Sequence, residues 1–198
     1  MAADLEDLDD LVRRHDPDRW LASRFIGEPQ ARADVIALYA FDHELSKIAQ
    51  VTTEPMMAEI RLTWWSEAIA EIFEGRPVRR HPVALALSDV ITGHRLPREL
   101  FEAMIEPRFD DPAARQAGPL MRLAVYVLCG EWAVIACAAE GWVEHDPEQL
   151  KEANENLRGL PAKGFPGVAY ATLARARRGA PDLERRLRLT WAVLRGKL

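Results

Sequence analysis

Cysteine, strand-forming runs and catalytic signatures are all scarce in this sequence, and each scarcity removes a class of answer. Only Cys129 and Cys137 occur among its 198 residues. Eight positions apart on one predicted helix, they are separated by roughly 12 Å along its axis at about 1.5 Å per residue, too far for a disulfide. Reduced thiols and a cytoplasmic setting are the expectation. The N-terminus lacks the basic-then-apolar pattern of a secretory leader. No run of β-branched residues alternates with polar ones for more than a few positions, which argues against a β architecture. Neither sign of charge dominates. The 26 Lys and Arg face 31 Asp and Glu, giving a net charge of −5, and no nucleic-acid partner is expected.

Chemistry is equally hard to find. There is no G-x-S-x-G elbow, no H-E-x-x-H, no P-loop and no G-x-G-x-x-G. Neither cysteine lies in a C-x-x-C, so no zinc site is expected. The five histidines, His15, His43, His81, His94 and His145, are scattered, and surface or capping roles suit them best. Residues 120–139 have the length of a membrane span. They contain Arg122 and Glu131, and a mid-helix carboxylate costs roughly 2.5–3.5 kcal/mol on insertion, so a buried core helix is predicted there.

What the sequence does contain is helix punctuation. An apolar share of 48% suffices for a core at this length. Gly27, Gly75, Gly93 and Gly141 follow apolar-periodic stretches, where left-handed caps are expected. Pro17, Pro82, Pro97 and Pro147 suit first helical turns, and Asp16 and Asp146 are candidate N-caps. Helices are predicted near 4–14, 17–26, 30–50, 55–74, 82–92, 97–106, 119–140, 147–157, 166–178 and 182–196, with loops at 107–119 and 158–166. The expected fold is all-α, one helical domain over residues 1–198. Leu62, Trp65, Ile69 and Ile72 share one helix face, and Leu183, Leu187, Trp191, Leu194 and Leu198 recur at helical spacing in the last helix.

Charge is unevenly spread. The N-terminus is acidic, with Asp4, Glu6, Asp7, Asp9 and Asp10, whereas residues 158–198 hold ten Arg or Lys against Asp182 and Glu184. Such an end suits an anionic partner or lipid, through Arg175, Arg177, Arg178, Arg185, Arg186 and Arg188. A solvated helix face is the plainer alternative.

The most distinctive stretch runs from Ala37 to Gln50 (ALYAFDHELSKIAQ), followed by Thr53-Glu-Pro-Met and Glu59-Ile-Arg-Leu-Thr-Trp-Trp-Ser-Glu-Ala68. Gly75-Arg-Pro, His81-Pro-Val and Leu96-Pro come next, and Asp16-Pro-Asp-Arg19 lies upstream. In order and spacing these resemble the squalene/phytoene synthase family, most closely the branch related to a mitochondrial assembly factor for respiratory complex I. The resemblance covers residues 12–110 well, is weakest over 111–160, and returns at Phe165-Pro166.

It implies a helical bundle of the isoprenoid synthase type, shortened in its C-terminal half. In active members two aspartate-rich motifs on facing helices hold magnesium on prenyl diphosphates, and the metal stabilises the departing anion. Here the first motif falls on Ser46, Lys47 and Gln50, none of them a carboxylate, and a cation at Lys47 repels a divalent ion. Asp42 and Glu44 project about 200° apart around a helix and cannot substitute. The second motif is not recognisable; Asn154-Glu-Asn-Leu-Arg158 is the nearest polar stretch.

The resemblance therefore implies a protein without catalytic residues or cofactor, acting by binding in the assembly of a respiratory membrane complex; the basic C-terminal region adds the expectation of peripheral contact with the inner membrane. Besides a helical domain whose present role is unrelated to its ancestry, two alternatives stay open. One is a magnesium-dependent prenyltransferase, or one in which Lys47 and Arg61 meet phosphate directly, although ion pairs to Glu44 or Glu59 explain both cations. The other is a carrier holding an isoprenoid or lipid in a cavity lined by Tyr39, Phe41, Trp64 and Trp65, which serve equally well as plain core.

Overall fold

The computed structural model describes residues 2–51, 54–114, 117–130, 147–175 and 180–198. The elements are α1 (Ala2–His15), α2 (Pro17–Ser23), α3 (Pro29–Val51), α4 (Pro55–Phe73), α5 (Pro82–His94), α6 (Arg98–Ile105), α7 (Pro107–Asp110), α8 (Ala117–Cys129), α9 (Pro147–Asn156), α10 (Pro166–Ala169) and α11 (Asp182–Arg195). Short 3₁₀ turns cover Leu157–Gly159, Ala162–Gly164 and Tyr170–Arg175. No strand occurs among the described residues, as the all-α reading requires.

Helix α3 is the axis of the bundle. Every residue from Asp34 to Asp42 is buried, as expected of a helix apolar all round. It packs against α1, α2, α4, α5 and α8. Helix α4 turns Leu62, Trp65, Ile69 and Ile72 inward, the face its periodicity predicts. Prolines set several starts: Pro17, Pro55, Pro82 and Pro107 each open a helix, where the missing N–H costs nothing. Glu54 and His81 precede two of them in extended conformation, as a following proline demands. Asp16 caps α2, its carboxylate accepting from the Arg19 N–H at 3.1 Å.

Several boundaries differ from expectation. Helix α8 ends at Cys129, and Gly130 adopts a left-handed φ of +85°, so the helix expected over 119–140 stops there. Glu131, Cys137, Ala139, Gly141, His145 and Asp146 lie outside the described residues. Among the expected left-handed glycines, Gly75 has φ +67° and Gly27 does not. Gly93 sits inside α5, whose left-handed cap is Arg95 at φ +52°. The predicted loop 107–119 opens with α7. The predicted helix 166–178 is instead α10 followed by 3₁₀ winding, in which Tyr170, Ala171, Thr172 and Leu173 are all buried. Among the described residues no helix is long and apolar enough to cross a membrane.

Two glycines let the later turns close onto α8. A Cβ at Gly164 would lie 2.7 Å from Cys129 Sγ. One at Gly167 would lie 3.1 Å from Val125 Cγ2 and 3.3 Å from the Val125 backbone nitrogen.

Helix α11 defies its own stripe. Leu189, Ala192 and, beyond the helix, Leu198 are buried, whereas Leu183, Leu187, Trp191 and Leu194 are 69%, 62%, 56% and 75% exposed.

Candidate functional site

The centre of the bundle is charged, and α3 supplies its pivot. Asp42, buried, accepts from Arg19 Nη1 at 2.7 Å through Oδ2 and from Arg108 Nη2 at 2.9 Å through Oδ1. Arg19 Nη1 also donates to Asp16 Oδ2 at 2.9 Å. Arg108 Nε donates to the Met104 carbonyl at 3.0 Å. Both arginines are withdrawn from solvent, at 5% and 1% exposure. Two guanidiniums and two carboxylates thus balance in charge, the condition under which buried ions are tolerated.

Tyrosines complete the surroundings. The Arg19 guanidinium carbon lies 5.7 Å from the Tyr39 ring centroid and 5.2 Å from that of Tyr170, within cation–π range. The two rings meet edge-on at 6.3 Å. Burial pushes the Tyr39 phenol well above its ordinary pKa and that of Tyr170 up to about 12, so both stay neutral. The Tyr39 hydroxyl is buried without a hydrogen-bond partner among the described residues. Burial works against the Arg19 charge, but Asp16, Tyr170 and Asp42 outweigh it and hold its pKa well above the usual value.

A second feature lies on the opposite side of α3. Glu44, Lys47, Ile48, Arg61, Trp64, Trp65 and His81 line a pocket of about 200 Å³. Lys47 pairs with Glu44 at 3.6 Å, while Arg61 makes no ion pair among the described residues. The wall is held by Arg79, which donates to Glu71 at 2.9 Å, to Glu67 at 2.6 Å and to the Trp64 carbonyl at 3.3 Å. Its guanidinium lies 5.1 Å from the Trp64 ring. This clamp fixes the 75–81 connection, so that the His81 ring packs 5.6 Å from Trp64 and 5.1 Å from Trp65. Burial lowers the His81 pKa, and its Nδ1 is buried with no hydrogen-bond partner among the described residues.

The sequence-derived candidates therefore divide. Asp42 turns into the core and Glu44 toward the pocket, as their spacing around α3 predicts. Glu44, Lys47, Arg61, Trp64 and Trp65 come together. Tyr39 and Phe41 do not join them: both are fully packed, Phe41 against Trp65 at 5.3 Å and Phe101 at 5.9 Å. Ser46 is half-buried and Gln50 exposed, and both lie off the pocket. Arg185 faces inward and pairs with Asp18 and Asp182, Arg188 pairs with Glu184 at 3.0 Å, and Arg186 borders a surface hollow. Arg177 and Arg178 lie outside the described residues, as does the Arg175 side chain.

Arg108, Tyr170 and Arg79 escaped sequence reasoning. Arg108 sits in a stretch read as loop, and nothing local marks it as buried. Arg19 left a faint signal, three residues after its capping Asp16.

Among the described residues, the positions of the first motif do not suit magnesium. Both Asp42 oxygens are occupied by N–H donors, Lys47 puts a cation at the motif, and among the described residues no three His, Cys, Asp or Glu side chains gather as a metal site.

Comparison with known proteins agrees with this architecture. The chain aligns with complex I assembly factor 6 of Bos taurus at 27% identity over 118 residues, which is 58% of this chain and 35% of the bovine protein. The Homo sapiens protein is 26% identical over 118 residues, with the same coverage. That of Rattus norvegicus is 30% identical over 110 residues, 54% of this chain and 32% of the rat protein. The alignments thus span about a third of these relatives. No solved structure gives a significant match. The sequence model of squalene/phytoene synthase matches residues 12–158, through the segment where the motif resemblance is weakest, and the chain belongs to the squalene/phytoene synthase family.

Proposed function

We propose that this protein acts by binding rather than catalysis, in the assembly or stabilisation of a respiratory membrane complex at the cytoplasmic face of the inner membrane. One observation carries the non-catalytic part. The positions of the first metal-holding motif offer Ser46, Lys47 and Gln50, and the nearest buried carboxylate, Asp42, is bonded to Arg19 and Arg108. A diphosphate leaving an allylic carbon needs clustered positive charge, ordinarily a divalent ion on carboxylates. The relatives named for complex I assembly supply the direction of the second part.

Two measurements test the proposal. Deleting the gene should lower NADH oxidation by isolated membranes, with restoration by the wild-type chain, and affinity capture should recover respiratory-chain subunits. Unchanged NADH oxidation would remove the assembly role. Turnover of farnesyl or geranylgeranyl diphosphate with magnesium would overturn the non-catalytic reading.

A second reading, an isoprenoid or lipid carrier, is favoured by the pocket in which Trp64 and Trp65 face Lys47 and Arg61. It is weakened by the tight packing of Tyr39, Phe41 and Phe101 at the bundle centre. Native mass spectrometry of the purified chain separates the two: a retained lipid supports the carrier, an apo mass opposes it.

A further inference from the structure

We propose that α11, together with the hollow between α2 and α11, is a docking surface for an anionic lipid bilayer. The inference rests on the membrane-side placement proposed above and names the part of the chain that makes the contact.

Four large apolar side chains on α11 face solvent, each more than half exposed: Leu183, Leu187, Trp191 and Leu194. At about 100° per residue they fall within an arc of about 80°. The side turned to the bundle carries Leu189, Ala192 and Arg185, so the stripe is not a misassigned core face. Arginines flank it on both sides, Arg195 and Arg188, the latter paired with Glu184, on one and Arg186 on the other. Arg195 lies 4.0 Å from the Trp191 ring centroid, and Arg186 makes no ion pair among the described residues. An apolar stripe with tryptophan, bordered by cations with long aliphatic stems, is the pattern of a helix lying in the headgroup region.

A second observation points to lipid rather than to a partner helix. Immediately beyond Arg186, a hollow of about 330 Å³ is walled by Trp20, Leu21, Phe25 and Leu189, with Arg24 and Arg186 lining it as well. Apolar walls beside two guanidiniums match an acyl chain and its anionic headgroup. Arg24 lies 3.4 Å from Asp9 and 5.1 Å from the Trp20 ring centroid, which holds its guanidinium at the rim of the hollow. A second copy of the chain is a poor occupant, because its own arginines would face these across the seam, and like charges in apposition repel.

Flotation of the purified full chain with vesicles tests the proposal. Vesicles of phosphatidylcholine alone are compared with vesicles in which about a third of the lipid is phosphatidylglycerol. Binding should be about tenfold stronger to the anionic vesicles and should weaken at high salt. The double variant Leu187→Glu with Trp191→Glu should lose binding by about tenfold or more while keeping the wild-type melting temperature, since both residues are solvent-exposed. Arg186→Gln should weaken binding by about fivefold. Brominated acyl chains should quench wild-type fluorescence more than that of Trp191→Phe.

No wild-type binding, equal binding to both vesicles, or undiminished binding by the folded double variant would overturn the inference. Binding of an acidic amphipathic peptide to this face without any vesicle binding would do the same and reassign it to a protein. If vesicles fail but gene deletion still lowers NADH oxidation, only this inference falls; if vesicles bind and NADH oxidation is unchanged, only the assembly role does.

Discussion

Asp42 and Arg108 meet at 2.9 Å across 66 residues of sequence, and Arg19 closes on the other oxygen of the same carboxylate at 2.7 Å. Replacing Asp42 with Asn removes the charge both buried guanidiniums share, while Asp16 remains beside Arg19 only. The expected loss is about 3–5 kcal/mol. Arg108→Met, which preserves bulk and leaves Asp42 paired with Arg19, should cost less. Urea unfolding followed by circular dichroism ranks the two variants, and the reverse order would contradict the pivotal role of Asp42.

Gly167 and Gly93 offer a matched pair. A methyl at Gly167 meets the Val125 side chain and the α8 backbone, so Gly167→Ala should destabilise by about 1–3 kcal/mol. Gly93 is helical with nothing within 4 Å of its Cβ position, and Gly93→Ala should stabilise by about 0.5–1 kcal/mol. Thermal melts of both variants check the sign.

Stability should fall as pH drops through the histidine range. His43 stacks on His15 at 4.3 Å. Burial, then the neighbouring His15 charge, lowers its pKa from 6.5, while Glu44 and Asp42 pull it up and Lys47 down. Burial lowers that of His81 as well, again between Glu44 and Lys47. A histidine with a depressed folded pKa leaves the unfolded chain binding more protons, so its contribution is present above pH 6.5 and lost below it. The melting temperature should decline between about pH 7.5 and about pH 5.5, less steeply in His81→Gln. A flat profile would rule this out.

Arg95 carries the left-handed cap of α5 without being a glycine. Left-handed backbone costs a side-chain-bearing residue about 1–2 kcal/mol. Arg95→Gly should therefore raise stability, by about 1 kcal/mol after the extra freedom of glycine in the unfolded chain is allowed for. Differential scanning calorimetry gives the shift directly.

Helix identity was legible wherever periodicity and proline agreed. The α4 face at Leu62, Trp65, Ile69 and Ile72, and the starts at Pro17, Pro55 and Pro82, need only local information. The position of the left-handed α5 cap was not legible, because Gly93 looks better suited than Arg95. Nor was the clamp. Arg98 finds Glu102 four residues on within its own helix, a pair that spacing alone suggests, whereas only tertiary placement brings Arg108 to Asp42. The exposed stripe of α11 marks the opposite limit. Period 3.6 reveals that a helix has an apolar side, but not whether that side meets its own bundle or something else.

A carboxylate that needs residues 19 and 108 at once is satisfied late, after three distant segments have already collapsed together. Its contribution should therefore leave the rate of refolding nearly untouched and act instead as a brake on escape, with Asp42→Asn accelerating unfolding in stopped-flow traces. The persistence of the assembled bundle, more than the speed of its formation, is what this one charge governs.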